Sequence, residues 1–310
     1  MRIAITGSSG LLGSKLKKFF KEKGFDVAVG DRPDYNIASY ESMKKFLSPD
    51  IKYLFNCAAF TDVPLAEEDQ KQAYLVNAQA AGILAKVCLE YNIHLVHFST
   101  DFVFDGTSTI PYKESDEPNP VNYYGLSKLH GERAIQKKMK DNEKYTIFRL
   151  QWLYGDSDKT FFSKILSVAR QGKTLNIVSD EIGSPCSVQY VSDVVYRSFF
   201  KKDPRKLKGK IFHLTHNDYC SRYQCGKYFL EKMGFEGIIT PIRDLPQGKV
   251  NRPKFGALDN TRLKLILNGR LGTWKKDLDD HIADLQLNNL LNSHLANYQK
   301  SLDICATEMK

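Results

Sequence analysis

Hydrophobic and polar positions in the first half of the chain follow two alternating patterns. Short runs rich in β-branched and aromatic residues predict buried strands over residues 2–6, 25–30, 51–59, 93–100 and 145–150. Between them, apolar residues recur at helical spacing and predict helices over residues 11–23, 39–47, 67–91 and 121–140. This alternation is typical of an α/β fold with a doubly wound, parallel Rossmann sheet, whose crossover connections are right-handed.

After residue 150 the pattern becomes less regular. Helices are predicted over residues 159–171, 187–200 and 221–233, and strands over 174–179 and 209–215. We therefore predict a Rossmann domain over residues 1–155, to which a later segment of about 186–215 returns. Residues 156–310 are predicted to form mainly a smaller C-terminal region.

A glycine-rich segment follows the first predicted strand directly. In TGSSGLLG, residues 6–13, three glycines stand three residues apart at Gly7, Gly10 and Gly13. Such glycines allow a tight turn, let the backbone approach a pyrophosphate and let the next helix pack closely on the sheet. The free N–H groups of the helix N-terminus attract phosphates. We therefore predict a dinucleotide site that includes these glycines and Ser9, Leu11 and Leu12.

The end of the second predicted strand bears on the choice of dinucleotide. Asp31 is placed to bond an adenosine ribose hydroxyl, which favours NAD. Arg32 is placed to hold a 2′-phosphate, which favours NADP. The two signals conflict; we favour NADPH because Arg is the better phosphate ligand, and NAD stays open.

Four Tyr-x-x-x-Lys pairs occur in the chain: Tyr40/Lys44, Tyr124/Lys128, Tyr223/Lys227 and Tyr228/Lys232. Only Tyr124 opens a helix after a long loop that leaves the carboxyl end of the fourth predicted strand. Ligands of doubly wound sheets bind at the carboxyl ends of the strands, so Ser99, Thr100 and Asp101 are expected at the same crevice. Context therefore selects the Tyr124/Lys128 pair.

The Tyr124/Lys128 spacing has a chemical reason. Residues four apart share a helix face, so the ammonium can lie near the phenol. A nearby cation lowers the pKa of a phenol and makes it a usable acid. Thr100 can donate a second hydrogen bond to a substrate oxygen. We predict that Tyr124, Lys128 and Thr100 are catalytic.

A series of segments in this order resembles a known family. The segments TGSSGLLG, NCAAFTDV, HFSTDFVFDG, YYGLSK, DEIGSP and RPKFGALD are similar to those of the dTDP-4-dehydrorhamnose reductases, a branch of the extended short-chain dehydrogenases, and the resemblance spans roughly residues 1–285. It implies reduction of the C4 ketone of dTDP-4-dehydro-6-deoxy-L-mannose by NAD(P)H, giving dTDP-L-rhamnose. It also implies that the C-terminal region binds the nucleotide-sugar substrate.

The resemblance assigns roles to individual residues. Tyr124 would be the proton donor, Lys128 would bind the nicotinamide ribose and Thr100 would polarise the ketone. Asp101 would belong to the same substrate site. Further members of the cofactor and substrate sites are implied at Ser99, Ala58, Ala59 and Trp152, of which Trp152 would pack against the nucleotide base.

Departures from the family pattern leave the substrate open. Pro64 and Leu65 replace an acid and a base near the substrate, and Glu181 replaces a glutamine. One alternative is a reductase or epimerase of another nucleotide sugar. Another is a non-catalytic, cofactor-binding regulatory subunit similar to the β subunit of methionine adenosyltransferase. No carboxylate cluster suggests the magnesium that some members bind, so no metal is predicted.

Composition limits the remaining classes of function. The chain of 310 residues lacks both a signal-peptide core and the roughly 20-residue apolar run of a membrane helix, so we expect a cytoplasmic protein without a membrane partner. The net charge is +9, but the basic residues lie mostly on amphipathic helices, so no nucleic-acid partner is expected. The six cysteines form no CxxC pair and are expected to be free thiols. A homodimer is left open.

Overall fold

A parallel sheet of six strands forms the centre of the computed structural model, which describes residues 1–243 and 250–287. The strands along the described chain are Arg2–Thr6 (β1), Asp26–Gly30 (β2), Ile51–Asn56 (β3), His94–Thr100 (β4), Tyr145–Leu150 (β5), Leu153–Tyr154 (β6), Leu175–Val178 (β7), Ile182–Gly183 (β8), Cys186–Ser187 (β9), Lys210–His213 (β10), Cys220–Ser221 (β11) and Ile239–Ile242 (β12). The order in the large sheet is β10-β5-β4-β3-β1-β2. The chain reverses direction across the sheet next to β1, which places a crevice at the carboxyl ends of β1 and β3.

Helices connect these strands. The α-helices are Leu11–Glu22 (α1), Tyr40–Phe46 (α2), Val63–Glu68 (α3), Gln70–Tyr74 (α4), Ala80–Glu90 (α5), Tyr123–Lys138 (α6), Phe161–Ala169 (α7), Val188–Tyr196 (α8), Arg222–Lys232 (α9) and Thr261–Ile266 (α10). Residues 274–287 are also helical. Two π-helical segments, Leu75–Gln79 and Arg197–Lys201, extend helices.

Apolar side chains cover both faces of the large sheet. Ile3 and Ile5 of β1 belong to one buried cluster with residues of α1 and α8, whereas Ala4 belongs to a second cluster with residues of α2 and α5. Side chains alternate between the two faces of a strand, so each face has its own layer of helices. The predicted α/β fold with a parallel Rossmann sheet is confirmed.

The predicted helix over residues 67–91 is wrong in detail. The chain instead forms α3, α4, a π-helical turn and α5. Asp62 and Asp69 each cap a separate short helix by accepting a hydrogen bond from a backbone N–H, so the chain restarts at both aspartates. The third predicted strand also ends earlier, at Asn56, which leaves Cys57, Ala58 and Ala59 in the loop at the crevice.

The C-terminal half contributes to both parts of the structure. β10 pairs with β5 in the large sheet, and α8 packs on α1. The two-stranded pairs β6–β9, β7–β12 and β8–β11 lie apart from the large sheet, and α7, α9 and residues 274–287 share a separate apolar cluster. The predicted domain boundary at residues 155 and 156 stays a prediction. Residues 244–249 and 288–310 of the predicted C-terminal region, which include Cys305, lie outside the described part of the chain.

Candidate active site

The glycine loop joins β1 to the N-terminus of α1. Gly7 has a φ of 68°, and a Cβ atom there would lie 2.6 Å from the backbone nitrogen of Ala58. A Cβ atom on Gly13 would lie 2.1 Å from the carbonyl oxygen of Gly7. Both positions therefore require glycine, because the loop folds tightly under the first turn of α1. The free N–H groups of that turn face the crevice where a pyrophosphate would be held.

A cavity of about 560 Å³ opens beside this loop. Its described lining includes the predicted cofactor residues Gly7, Ser9, Gly10, Asp31, Arg32, Ala58 and Ala59, together with Tyr35, Asn36, Cys57, Gln72 and Val76. The cavity combines a glycine cradle, a helix N-terminus and a carboxylate at the end of the second strand. These features fit a dinucleotide.

Six predicted cofactor residues lie outside the cavity lining: Leu11, Leu12, Gly13, Ser99, Tyr124 and Lys128. Leu12 is buried in the core of the Rossmann sheet, and Leu11 lines a different cavity. Both can therefore reach a phosphate only through their backbone N–H groups. Ser99 is buried, and its hydroxyl has no hydrogen-bond partner among the described residues. An unpaired buried hydroxyl next to a crevice is typical of a ligand contact.

Asp31 has a specific partner that the sequence did not reveal. Its two carboxylate oxygens accept hydrogen bonds from the backbone nitrogen of Ser8, at 2.8 Å, and from the Ser8 hydroxyl, at 2.6 Å. The carboxylate therefore ties the end of β2 to the glycine loop. Arg32 lines the cavity beside it. The assignment of Arg32 to a 2′-phosphate stays a prediction.

Tyr124, Thr100 and Asp101 meet at the carboxyl end of β4. Asn122 caps α6 by accepting a hydrogen bond from the backbone of Gly125, which places Tyr124 in the first turn of the helix. The Thr100 side chain lies beside the Tyr124 phenol and acts to lower its pKa. Thr100 Oγ1 in turn donates to Asp101 Oδ1 at 3.0 Å. The structure thus brings together two predicted catalytic residues and a predicted substrate residue.

Burial dominates the electrostatics of this group. Desolvation raises the pKa of Tyr124 to about 12, although the Thr100 side chain opposes it. The sequence predicts the opposite direction, with Lys128 lowering the pKa of the phenol. Burial also raises the pKa of Asp101 to about 6, and hydrogen bonds from Thr100 and Gln151 only partly offset it.

Lys128 is fully inside the protein, beneath the cofactor cavity. Its Nζ donates to the carbonyl oxygen of Phe98 at 2.6 Å and lies 3.5 Å from Nε2 of His97. Burial lowers the pKa of Lys128 to about 8, although Glu132 and Cys57 act in the opposite direction. Cys57 lines the cofactor cavity, so the ammonium lies close to that cavity's wall.

Two of the rival Tyr-x-x-x-Lys pairs have other partners. The Tyr40 phenol is hydrogen-bonded to Glu90 on the surface, and Tyr228 is hydrogen-bonded to Asp279. Tyr223 lines a separate cavity together with Trp274. The choice of Tyr124 from its sequence context therefore agrees with the contacts of all four tyrosines.

A second cavity, of about 830 Å³, lies between α3 and the C-terminal region. Arg222 and Glu181 line it and lie 3.7 Å apart. The Arg222 guanidinium also stacks 3.8 Å from the centre of the Trp152 ring, and it stabilises the Asp101 carboxylate. Arg222 therefore interacts both with the Trp152 ring and with Asp101, which lies in the same group as Tyr124. The position of Trp152 agrees with a substrate role, which stays a prediction.

A family comparison decides what kind of protein carries this site. Residues 1–287 match the family model described as the RmlD substrate binding domain. The chain belongs to the RmlD family. This confirms the resemblance to the dTDP-4-dehydrorhamnose reductases that the sequence motifs indicate.

Several known proteins are similar to this chain over most of its length. The spore coat polysaccharide biosynthesis protein SpsK of Bacillus subtilis is 32% identical over 91% of this chain and 97% of its own. The dTDP-4-dehydrorhamnose reductase of Sinorhizobium fredii is 30% identical over 89% of this chain and 95% of its own. The methionine adenosyltransferase 2 subunit beta of Xenopus laevis is 32% identical over 85% and 81%.

A solved RmlD-family structure has the same fold. The dTDP-4-dehydrorhamnose reductase of Bacillus anthracis, in complex with NADP, superimposes with a TM-score of 0.83 at 26% identity and covers 91% of this chain and 99% of its own. The predicted NADP-type cofactor agrees with that complex.

The sequence reasoning missed several residues of the site. Ser8, His97, Gln151 and Arg222 each contact a predicted site residue. His97 carried a usable signal, because it is a polar residue within an apolar strand; the other three carried none. Among residues 1–243 and 250–287, no cluster of metal-ligating side chains is found, and none of the helices there has the length and apolarity to cross a membrane.

Proposed function

We propose that this protein uses NADPH to reduce the C4 ketone of dTDP-4-dehydro-6-deoxy-L-mannose, which gives dTDP-L-rhamnose. The relatives named as dTDP-4-dehydrorhamnose reductases and the NADP complex of one such reductase support an NAD(P)H-dependent nucleotide-sugar reductase. The single observation that carries the catalytic assignment is the grouping of Tyr124, Thr100 and Asp101 at the carboxyl end of β4. The proposed identity of the sugar rests on the names of the relatives and on the 830 Å³ cavity, which we call the substrate cavity.

The proton that completes the reduction comes from Tyr124. Bound NADPH supplies the hydride. Burial raises the pKa of Tyr124 to about 12, so the phenol holds its proton throughout the neutral range and is ready to donate it.

Thr100 and Asp101 set the orientation of this proton donor. The one hydroxyl hydrogen of Thr100 is directed at the Asp101 carboxylate, and the Thr100 side chain lies beside the Tyr124 phenol. A ketone oxygen bound beside Thr100 would accept the hydrogen bond from Tyr124. Donation by Thr100 to the same oxygen requires its hydroxyl to rotate away from Asp101.

Lys128 supplies positive charge beneath the cofactor cavity. Two acceptors in the described part of the chain, Phe98 O and His97 Nε2, orient its Nζ. An ammonium has three N–H donors, so one is left for a ribose hydroxyl. This geometry supports the ribose-binding role implied by the family.

The substrate cavity carries the residues that distinguish this chain. Pro64 and Glu181, two of the departures from the family pattern, both line the 830 Å³ cavity with Arg222 and Arg252. Guanidinium groups bind phosphate oxygens strongly, which suits a nucleotide diphosphate sugar. Neither Pro64 nor Glu181 forms a hydrogen bond or an ion pair with Tyr124. We therefore assign these two residues to the choice of sugar and not to the proton transfer.

The decisive experiment offers dTDP-, UDP- and GDP-linked 4-keto-6-deoxy sugars with NADPH or NADH and follows loss of the reduced-nicotinamide absorbance. We expect the dTDP-linked L-sugar to give the highest kcat/KM. Tyr124→Phe should reduce kcat by about 100-fold or more, the usual contribution of a general acid, and leave NADPH affinity unchanged. Tyr228→Phe, which alters another Tyr-x-x-x-Lys pair, is the matched control. Near-normal turnover of Tyr124→Phe would refute the mechanism.

A regulatory subunit is the second candidate, because the β subunit of a methionine adenosyltransferase is 32% identical to this chain. The grouping of Tyr124 with Thr100, and the presence of Lys128 on the same helix, argue for catalysis. Stoichiometric co-purification with a methionine adenosyltransferase, together with absence of turnover on every keto sugar, would favour the regulatory role.

A further inference from the structure

A row of three buried polar side chains crosses the central sheet below the glycine loop. Thr6 of β1 is paired in register with Asn56 of β3, which is paired in register with His97 of β4. All three are at most 2% exposed. Central strands of parallel sheets are normally apolar on both faces, so such a row is unusual. We call Thr6, Asn56 and His97 the polar row.

Hydrogen bonds link the polar row end to end. Thr6 Oγ1 lies 2.8 Å from Asn56 Oδ1, and Asn56 Nδ2 lies 3.0 Å from His97 Nδ1. At the far end, His97 Nε2 faces Lys128 Nζ at 3.5 Å. Residues of one register share a sheet face, and this is the face on which α6 packs. The row therefore connects the strand that leads into the glycine loop with the predicted catalytic lysine.

We propose that His97 is a positioning residue for Lys128: held by Asn56 and Thr6, its neutral imidazole accepts a hydrogen bond from the ammonium through Nε2 and keeps Lys128 charged and directed at the cofactor. This inference rests on the proposed role of Lys128 in binding the nicotinamide ribose. Burial and the Lys128 charge both lower the pKa of His97 well below its usual range, so the imidazole stays neutral.

The proton on His97 must lie on Nδ1 for this role. A neutral imidazole has one N–H and one acceptor, and an ammonium partner requires the acceptor at Nε2. In the structure the Asn56 amide nitrogen faces Nδ1. Turning the Asn56 amide by 180° exchanges its nitrogen and oxygen and keeps both contact distances. His97 Nδ1–H then donates to Asn56 Oδ1, and Asn56 Nδ2 donates to Thr6 Oγ1. The Lys128 ammonium thus specifies the tautomer, and the polar row accommodates it once the Asn56 amide is turned.

Other charged groups also act on Lys128. Glu132, one turn further along α6, and the Cys57 thiol after β3 both raise the pKa of Lys128, while burial lowers it. Glu132 is itself held by Arg149 at 2.7 Å, so its charge is largely balanced. His97 adds a directed acceptor, which these charges do not provide.

Two substitutions distinguish the roles of the two ring nitrogens of His97. His97→Gln retains a polar group at the reach of Nε2, whereas His97→Asn retains one only at the position of Nδ1. Without the Nε2 acceptor, a buried ammonium loses stabilisation and its pKa falls; we expect a fall of about one unit. Starting from a pKa of about 8, the charged fraction of Lys128 near pH 8 would fall from about one half to about one tenth.

The test measures the dissociation constant of NADPH by its fluorescence between about pH 6 and pH 9. We expect His97→Asn to bind NADPH about fivefold more weakly near pH 8, the ratio of those charged fractions, with affinity close to that of the unmodified protein near pH 6. His97→Gln should keep the original profile. Because the measurement needs no sugar, it stays informative even when every keto sugar fails as a substrate.

His94→Asn is the matched control. His94 lies on the same strand, is also buried and is bonded through Nε2 to Thr146 at 2.9 Å, away from Lys128. Its replacement should lower the stability of the fold without moving the pH profile of NADPH binding. A His97→Asn profile that is unshifted, or weakened equally at every pH as in His94→Asn, would overturn the positioning role.

Discussion

Asp101→Asn should make the protein more stable at neutral pH. Asp101 is 3% exposed, and burial raises the pKa of its carboxyl from 3.8 to about 6. Above pH 6 both the folded and the unfolded chain carry the ionised carboxylate, and only the folded chain bears the cost of burying it. A difference of about two pKa units corresponds to about 3 kcal/mol, the upper limit of what the substitution can recover.

The expected gain is smaller than that limit. An Asn side chain can still accept the hydrogen bond from Thr100, but Arg222 loses an attractive charge nearby. We therefore expect the free energy of unfolding at about pH 7.5 to rise by about 1–3 kcal/mol. The raised pKa means that the cost disappears as pH falls through 6 towards 4, so the two proteins should converge near pH 4.

Urea unfolding of both proteins at several pH values gives the measurement. Asp105→Asn is a control of opposite sign. Hydrogen bonds, the largest from the Thr107 backbone, lower the pKa of Asp105 to about 2, so its carboxylate stabilises the fold above the unfolded pKa. Its replacement should destabilise the protein at neutral pH. The reasoning fails if Asp101→Asn is the less stable protein at pH 7.5, or if its advantage does not change with pH.

Three further predictions concern the glycine loop, a buried ion pair and the cofactor. Gly13→Ala should abolish NADPH binding and lower the melting temperature, because the new Cβ would meet the Gly7 carbonyl at 2.1 Å. Gly82→Ala within α5 is the control: its Cβ would make an ordinary contact of 3.5 Å with Ala134, so it should be neutral or raise stability by up to about 1 kcal/mol. Glu132→Gln should cost about 3–5 kcal/mol in urea unfolding, since it leaves the Arg149 guanidinium buried without its carboxylate. Arg32→Ala should weaken binding of NADPH more than that of NADH in fluorescence titrations; equal losses would show that Arg32 does not hold the 2′-phosphate.

Local sequence was enough to predict the features that depend on neighbouring residues. The glycine loop follows from a strand, three glycines and a helix within residues 2–23. The choice of Tyr124 followed from its place after the carboxyl end of the fourth strand. Sequence also predicted the α/β alternation, because the side-chain periods of strands and helices differ.

Contacts between distant segments were not predictable in the same way. The pKa of Tyr124 is raised and not lowered, because the extent of its burial depends on packing that no local pattern records. The Ser8–Asp31 bonds and the stacking of Arg222 on Trp152 each join residues far apart in the chain.

What the sequence alone determined is therefore the fold class and the glycine loop, which are set by periodicity and by residues a few positions apart. The assignment of Tyr124 as the acid and Lys128 as its partner stays a prediction. Tertiary structure decided the charges and partners of those groups. Thr6, Asn56 and His97 become one row only because the apolar faces of β1, β3 and β4 fix the strand register. Burial by the helices on either side then sets the pKa values of Tyr124, Asp101 and Lys128.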